Sequence, residues 1–199
     1  MTERDAFDLA LEDTLDRLEG GGRTVTERDA FDLALEFVYR WEGGYSRDRR
    51  DGGGETNLGI SRAAFPNENI PEMTRARSRE LYLEHYWSRA YCPEVLASAG
   101  VALAVSVFDF AVNSGPDRAV RVLQKTGAVA IDGVVGPVTL GALAALPELE
   151  LLSKYLASRV EFLLGLNQSY FIKGWLRRVV ALGVLAGATA GLTTGGENA

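Results

Sequence analysis

A chain of 199 residues, 47% of them hydrophobic, is long enough to bury a proper core as one domain or two small intimate ones. Its net charge of −6 is uneven: residues 1–36 hold 11 acidic against 4 basic side chains (−7), and residues 37–199 hold 16 against 17 (+1). The nearly neutral body lacks the concentrated basic surface that phosphate backbones require, which argues against nucleic acid as partner, and the lone Cys92 excludes an internal disulfide.

The N-terminus is acidic and has no apolar run, so no secretory signal peptide is expected. Thr2–Glu12 recurs letter for letter as Thr26–Glu36, a duplication too small to make a solenoid. Residues 1–25 therefore read as an added acidic extension: an amphipathic helix over 1–19, with Gly20, Gly21 and Gly22 as its hinge.

The second copy begins a helix with Thr26 as N-cap and Asp29 as the reciprocal partner of a capping box. At about 100° per residue, Phe31, Leu35, Val38 and Glu42 fall within roughly 60° of one another. Glu42 thus projects from an apolar stripe, where a carboxylate is costly unless paired or protonated. It also stands in the last turn, where the helix dipole disfavours negative charge. Burial and dipole both favour the protonated form, as a general acid needs. The plainer alternative is a Glu whose stem packs while its head reaches water. Glu19, the echo of Glu42 in the first copy, lies about 80° off its own stripe and has Arg28 nine residues on.

Gly43 and Gly44 can end this helix. The stretch to Ser61 is too rich in Gly and charge for a core and predicts a short β-hairpin or irregular loop. Eight residues separate Glu42 from Asp51, and four separate Asp51 from Thr56. A Glu ending a helix, then an Asp and a Thr in the next loop, suits glycoside hydrolysis. One carboxyl protonates the leaving oxygen; the other activates water or stabilises the oxocarbenium-like centre; Thr56 would hold the water. Asp48 and Glu55 compete with Asp51, and a lone loop Asp is more often a turn residue.

Further along, Ser61 caps a short helix ended by Phe65 and Pro66, and Thr74 starts one running to about Ala90. Tyr45 and Trp87 are candidates to stack on sugars, with core packing the competing role for Trp87. Arg47, Arg49, Arg50, Arg75, Arg77 and Arg79 are candidates to touch an anionic glycan, against ordinary surface salt bridges. His85 is the only histidine, and one His with one Cys cannot supply the usual zinc ligand set. Val101–Val112 is apolar almost all round, as expected of a central buried helix. Asp109 and Asn113 interrupt it on one face, as buried polar groups or substrate contacts. Pro116, Pro137 and Pro147 suit helix starts, the first helix running to about Lys125 and the last to about Tyr170. Gly174 and Trp175 precede a final helix whose apolar run, Val179–Leu192, is shorter than the roughly 20 residues a bilayer requires. Thr193–Ala199 reads as a tail.

The run Glu42-Gly-Gly-Tyr45, Asp51-Gly-Gly-Gly-Glu-Thr56 and Gly59-Ile-Ser61 resembles the signature of glycoside hydrolase family 108, N-acetylmuramidases found in phage endolysins and bacterial relatives. The resemblance continues through Tyr82, Tyr86-Trp87, Asp109-Phe-Ala-Val-Asn113-Ser-Gly115, Leu123-Gln124, Asp132-Gly133, Gly136-Pro137, Thr139, Gly174-Trp175 and Arg178. Where that family often has Pro after the loop Asp, this chain has Gly52. The stretch around Asp132–Pro137 is similar to the loop of helical peptidoglycan-binding modules.

The resemblance implies a mainly α, lysozyme-like fold with a small β-hairpin or irregular loop after the Glu42 helix. Its parts would be the extension (1–25), a catalytic part (26–115), a helical peptidoglycan-binding-like part (116–180), and a helix end with tail (181–199). It implies cleavage of the β-1,4 bond between N-acetylmuramic acid and N-acetylglucosamine, as in a phage or prophage endolysin. Glu42, Asp51 and Thr56 would be catalytic, and Tyr45, Asn113 and Trp87 substrate-binding. No cofactor or metal is implied. The expected partner is the glycan strand, met by a monomer at the cell wall after synthesis in the cytoplasm. The competing readings are a lytic transglycosylase on the same scaffold and a non-catalytic wall-binding or secretion-accessory protein.

Overall fold

The second copy of the duplicated stretch opens helix α1 (Glu27–Glu42) in a computed structural model that describes residues 24–42, 44–46, 54–168, 170–192 and 194. The expected extension helix, the loop carrying Asp48 and Asp51, and the arginines Arg47, Arg49 and Arg50 lie outside the described residues. The capping box forms as the sequence dictates. The Thr26 N–H and hydroxyl both donate to Asp29 Oδ2 (3.1 and 2.7 Å), and the Asp29 N–H donates back to Thr26 Oγ1 (3.2 Å). Phe31, Leu35 and Val38 are buried as the stripe predicts, joined by Leu33 and Phe37 on neighbouring faces.

Two short strands follow, β1 (Thr56–Asn57) and β2 (Ile60–Ser61), antiparallel with Thr56 opposite Ser61. Leu58 and Gly59 join them with φ of +50° and +74°, the left-handed pair that a two-residue hairpin turn needs to match strand twist. Ser61 accepts the Phe65 N–H through its carbonyl at 2.9 Å. That makes one turn rather than the expected short helix, since Pro66 stops it.

After a 3₁₀ turn at Ile70–Glu72 come α2 (Arg75–Tyr82), a π-helical turn (Leu83–Trp87) and α3 (Cys92–Ala99). Thr74 caps α2 by accepting the Arg77 N–H. The expected helix to Ala90 widens at Leu83 instead, where the Ser88 N–H reaches back five residues to the Leu83 carbonyl (3.0 Å). The reason is packing. Tyr82 and Trp87 are both fully buried, and a regular α-helix would place residues five apart about 140° from each other.

Helix α4 (Val101–Ser114) is the axis of the fold. Val101 through Ala111 are all buried, and α1, α3, α5 (Pro116–Thr126), α7 (Glu148–Gly165) and α8 (Ile172–Thr189) pack around it. Helix α6 (Pro137–Ala144) packs on α3. The proline starts are found as predicted. Helix α7, however, ends at Gly165 rather than near Tyr170, and α8 takes Gly174 and Trp175 into its first turns. Val25 and Thr194 form a parallel bridge, which sets Thr194 beside the start of α1. The fold is mainly helical and lysozyme-like, and among the described residues no helix is long and apolar enough to cross a membrane.

Candidate active site

Glu42 closes α1 with its side chain about a quarter exposed (27%). The β1–β2 turn lies directly on its stem. A Cβ on Gly59 would come within 2.9 Å of Glu42 Cγ and 2.1 Å of the Tyr82 hydroxyl oxygen. Only a glycine lets the hairpin backbone approach this closely, and its left-handed φ asks for one as well. The Tyr82 hydroxyl donates to the Leu58 carbonyl (3.1 Å), which fastens the turn against the Glu42 stem. Burial pushes the Tyr82 and Tyr86 hydroxyls above their ordinary range, and the nearby Glu42 charge adds to it, so both remain protonated donors.

The carboxylate of Glu42 accepts a close charge-assisted hydrogen bond from Arg178 Nη1 of α8. The rest of that guanidinium faces Asp109 of α4: Nε donates to Asp109 Oδ1 at 2.9 Å, and Nη2 lies 2.7 Å from the same oxygen. Asp109 Oδ2 meets Arg159 Nη1 of α7 at 2.7 Å. The Nη contacts to Asp109 are close ion pairs rather than directed hydrogen bonds. Burial would raise the Asp109 carboxyl, but the charges of Arg178 and Arg159 outweigh it and hold the group below its usual value. Arg178 is driven the other way: burial lowers it, while Asp109 and Glu42 raise it further and keep it charged. Four alternating charges thus run from the half-buried Glu42 into the core.

The other expected site residues are placed as follows. Thr56 is half-buried in β1, two residues before the turn that touches Glu42, and exchanges backbone hydrogen bonds with Ser46 (2.8 and 2.9 Å). That pair joins two described residues on either side of the segment that contains Asp51. Glu55, a rival to Asp51, is held by the Tyr45 hydroxyl (2.6 Å) and by Arg62 (2.8 Å). Tyr45 itself is half exposed, just past Glu42. Asn113 is half-buried one helical turn beyond Asp109, where it accepts from the Ser114 hydroxyl. Trp87 is a correction. It is fully buried, edge-on to Phe31 and Phe108, with its indole N–H bonded to Glu27, and it has no face to offer a sugar.

Arg75, Arg77 and Arg79 pair with Glu36, with Glu68 and Glu80, and with Asp32. Among the described residues no group of three or more His, Cys, Asp or Glu side chains gathers as a metal set. Sequence reasoning missed Arg159 altogether and gave Arg178 no role. The available signal was Asp109: a carboxylate in so apolar a helix needs hydrogen-bonding or charged partners from elsewhere in the chain.

The chain has counterparts among known proteins. The family described as Glycosyl hydrolase 108 matches residues 35–115, and the family described as Predicted Peptidoglycan domain matches residues 118–180. The solved structure of Brucella abortus SagA is 32% identical, superposes with a TM-score of 0.73, and covers 81% of this chain and 96% of its own. No curated protein matches the chain. The chain belongs to glycosyl hydrolase family 108. It is a glycoside hydrolase with a peptidoglycan-binding domain on its C-terminal side, and thereby a peptidoglycan hydrolase.

Proposed function

We propose that this protein cleaves the β-1,4 bond between N-acetylmuramic acid and N-acetylglucosamine, with Glu42 as general acid. The observation that carries the reading is the setting of Glu42. Its carboxylate stands at a helix end, about a quarter exposed, beside a hairpin turn that approaches its stem as closely as a glycine permits. In this reading Asp51 activates the water or stabilises the oxocarbenium-like centre, and Thr56 orients the water. The Ser46–Thr56 pairing supports both roles, since it holds the two ends of the segment that carries Asp51 next to the hairpin that meets Glu42. Tyr45 and Asn113 are the substrate contacts we assign.

Residues 26–115 then act as the catalytic part and 116–180 as the wall-binding part, flanked by an added segment (1–25) and the C-terminal end (181–199). The fitting setting is a phage or prophage endolysin working as a monomer on the wall, from the periplasm or from outside.

Mass analysis of muropeptides released from purified peptidoglycan in heavy-oxygen water tests the chemistry. The expected products are reducible by borohydride and labelled at a new muramic acid end. Mainly 1,6-anhydro ends, lighter by one water and unlabelled, would make it a transglycosylase. A new reducing end on N-acetylglucosamine would make it a glucosaminidase.

A further inference from the structure

We propose that Arg178 is the positioning residue of Glu42, held ready by the buried Asp109–Arg159 pair whether or not Glu42 carries its proton. The proposal rests on the reading of Glu42 as the acid.

The guanidinium is a planar fork whose five N–H groups cannot be aimed independently. Asp109 takes the Nε and Nη2 side, which fixes the plane and leaves Nη1 pointing at Glu42. The backbone behind Arg178 is fixed as well. Val179, Leu182, Leu185 and Ala186 bury their side chains as α8 packs on α4 and α7.

The charges explain why a second arginine is present. With Glu42 ionised, the two carboxylates and two guanidiniums cancel. A general acid starts its cycle protonated and ends it ionised, so the group must carry both states. With Glu42 as the only partner, protonation would strand Arg178, 7% exposed, as an uncompensated buried cation. Asp109 binds Arg178 independently of Glu42, so Arg178 keeps a partner in both states. With Glu42 protonated the cluster carries one net positive charge shared by two arginines. Arg159, 1% exposed and lying over the Phe110 ring, meets the other Asp109 oxygen and completes the charge balance when Glu42 is ionised.

The chain origin of the four groups adds a functional consequence. Glu42 and Asp109 lie in the segment matched as a glycosyl hydrolase; Arg159 and Arg178 lie in the segment matched as a peptidoglycan domain. The C-terminal helices therefore complete the catalytic apparatus as well as offering a surface to the wall.

The test uses the full chain and compares Arg178→Met and Arg178→Lys with wild type and with Glu42→Gln. Initial rates on purified peptidoglycan give kcat and KM, co-sedimentation with insoluble wall gives binding, and circular dichroism with melting gives the fold. Arg178→Met is expected to lose about 10²-fold in kcat, the cost of a small misplacement of a reacting group, with KM and co-sedimentation unchanged. If it does not fold, Arg178→Lys decides. An ammonium has charge but no fork, so kcat should still fall about tenfold with melting retained.

Wild-type kcat in a folded Arg178 variant overturns the positioning role, as does a loss carried by KM and co-sedimentation, which would make Arg178 a glycan contact. Full activity in Glu42→Gln would instead remove the reading of Glu42 as the acid and leave the ion-pair geometry standing.

Discussion

Two groups of arginines divide this molecule. Arg75, Arg77 and Arg79 stand on α2 with side chains 35–48% exposed, each pairing with a carboxylate that also meets water. Arg159 and Arg178 stand on α7 and α8, 1% and 7% exposed, and share one buried Asp. Their contact distances are similar, 2.6–2.9 Å on the surface and 2.7 Å in the core. Water makes the difference. Surface pairs are screened and lose side-chain entropy in forming, so they contribute little. A buried pair gains little over apolar packing, yet breaking it by removing one partner is costly. The ion pairs of the exposed set should therefore add little to this fold, whereas the buried set holds the group that meets Glu42.

The strongest way to break that contrast is at its catalytic end. Glu42→Gln keeps the shape and an acceptor for Arg178, so circular dichroism and cooperative melting should persist. Wall lysis should fall by about 10²–10⁴-fold, the usual contribution of a positioned acid. A mutant that lyses near the wild-type rate would move the chemistry to another carboxylate.

At the deep end, Arg159→Met leaves Asp109 with Arg178 alone and should cost about 3–5 kcal/mol by chemical denaturation. A loss below about 1 kcal/mol would place this pair with the surface ones. The same cluster sets an acid limit. Because the folded Asp109 carboxyl is held below its ordinary value, its contribution is complete above the unfolded pKa of about 4. That contribution is lost as pH falls through the lower folded value. Asp109→Asn should flatten this acid limb while lowering stability at neutral pH; an unchanged limb would assign the acid sensitivity to other carboxylates.

Gly59→Ala probes the hairpin between the two extremes. The new methyl meets Tyr82 and Glu42 at a φ of +74°, a strain of about 1–3 kcal/mol. Activity should drop more than stability, because the turn can relieve the clash by lifting away from Glu42. Equal losses in both would show that the turn is merely structural.

Much of the fold was legible in the sequence because it was local. The Thr26–Asp29 box, the Phe31–Leu35–Val38 stripe and the proline starts each depend on neighbours within one or two turns, and each appears as read. The departures required tertiary information. Two large aromatics five residues apart both needed burial, and the helix after Thr74 widened at Leu83 to supply it.

At the site, Glu42 was legible because a carboxylate on an apolar stripe conflicts with its surroundings. Its partner was not. Arg178 comes from 136 residues further on, and α8 does not show locally which of Arg177 and Arg178 turns inward, nor α7 that its single arginine does. The role offered to Trp87 failed for a related reason. An aromatic beside a candidate cleft reads the same whether it faces sugar or core, and only the packing of Phe31 and Phe108 around it decides.

The smallest expected effect lies at the other end of the comparison, at Arg77. Its guanidinium binds Glu68 through two nitrogens (3.2 and 2.6 Å) and Glu80 through a third (2.7 Å). On paper it is the best-connected arginine on α2. Yet its side chain is 47% exposed, so these contacts compete with water and are screened by salt over about 8 Å at physiological ionic strength. Arg77→Ala should therefore leave both the melting temperature and the lysis rate at their wild-type values. The sequence raised another role for this residue, contact with an anionic glycan. That role would show as slower lysis and weaker co-sedimentation at low salt, with the difference fading as salt is added. Melting alone cannot separate the two roles, so a low-salt binding defect in a stable Arg77→Ala would move α2 from the dispensable surface to the substrate-facing one.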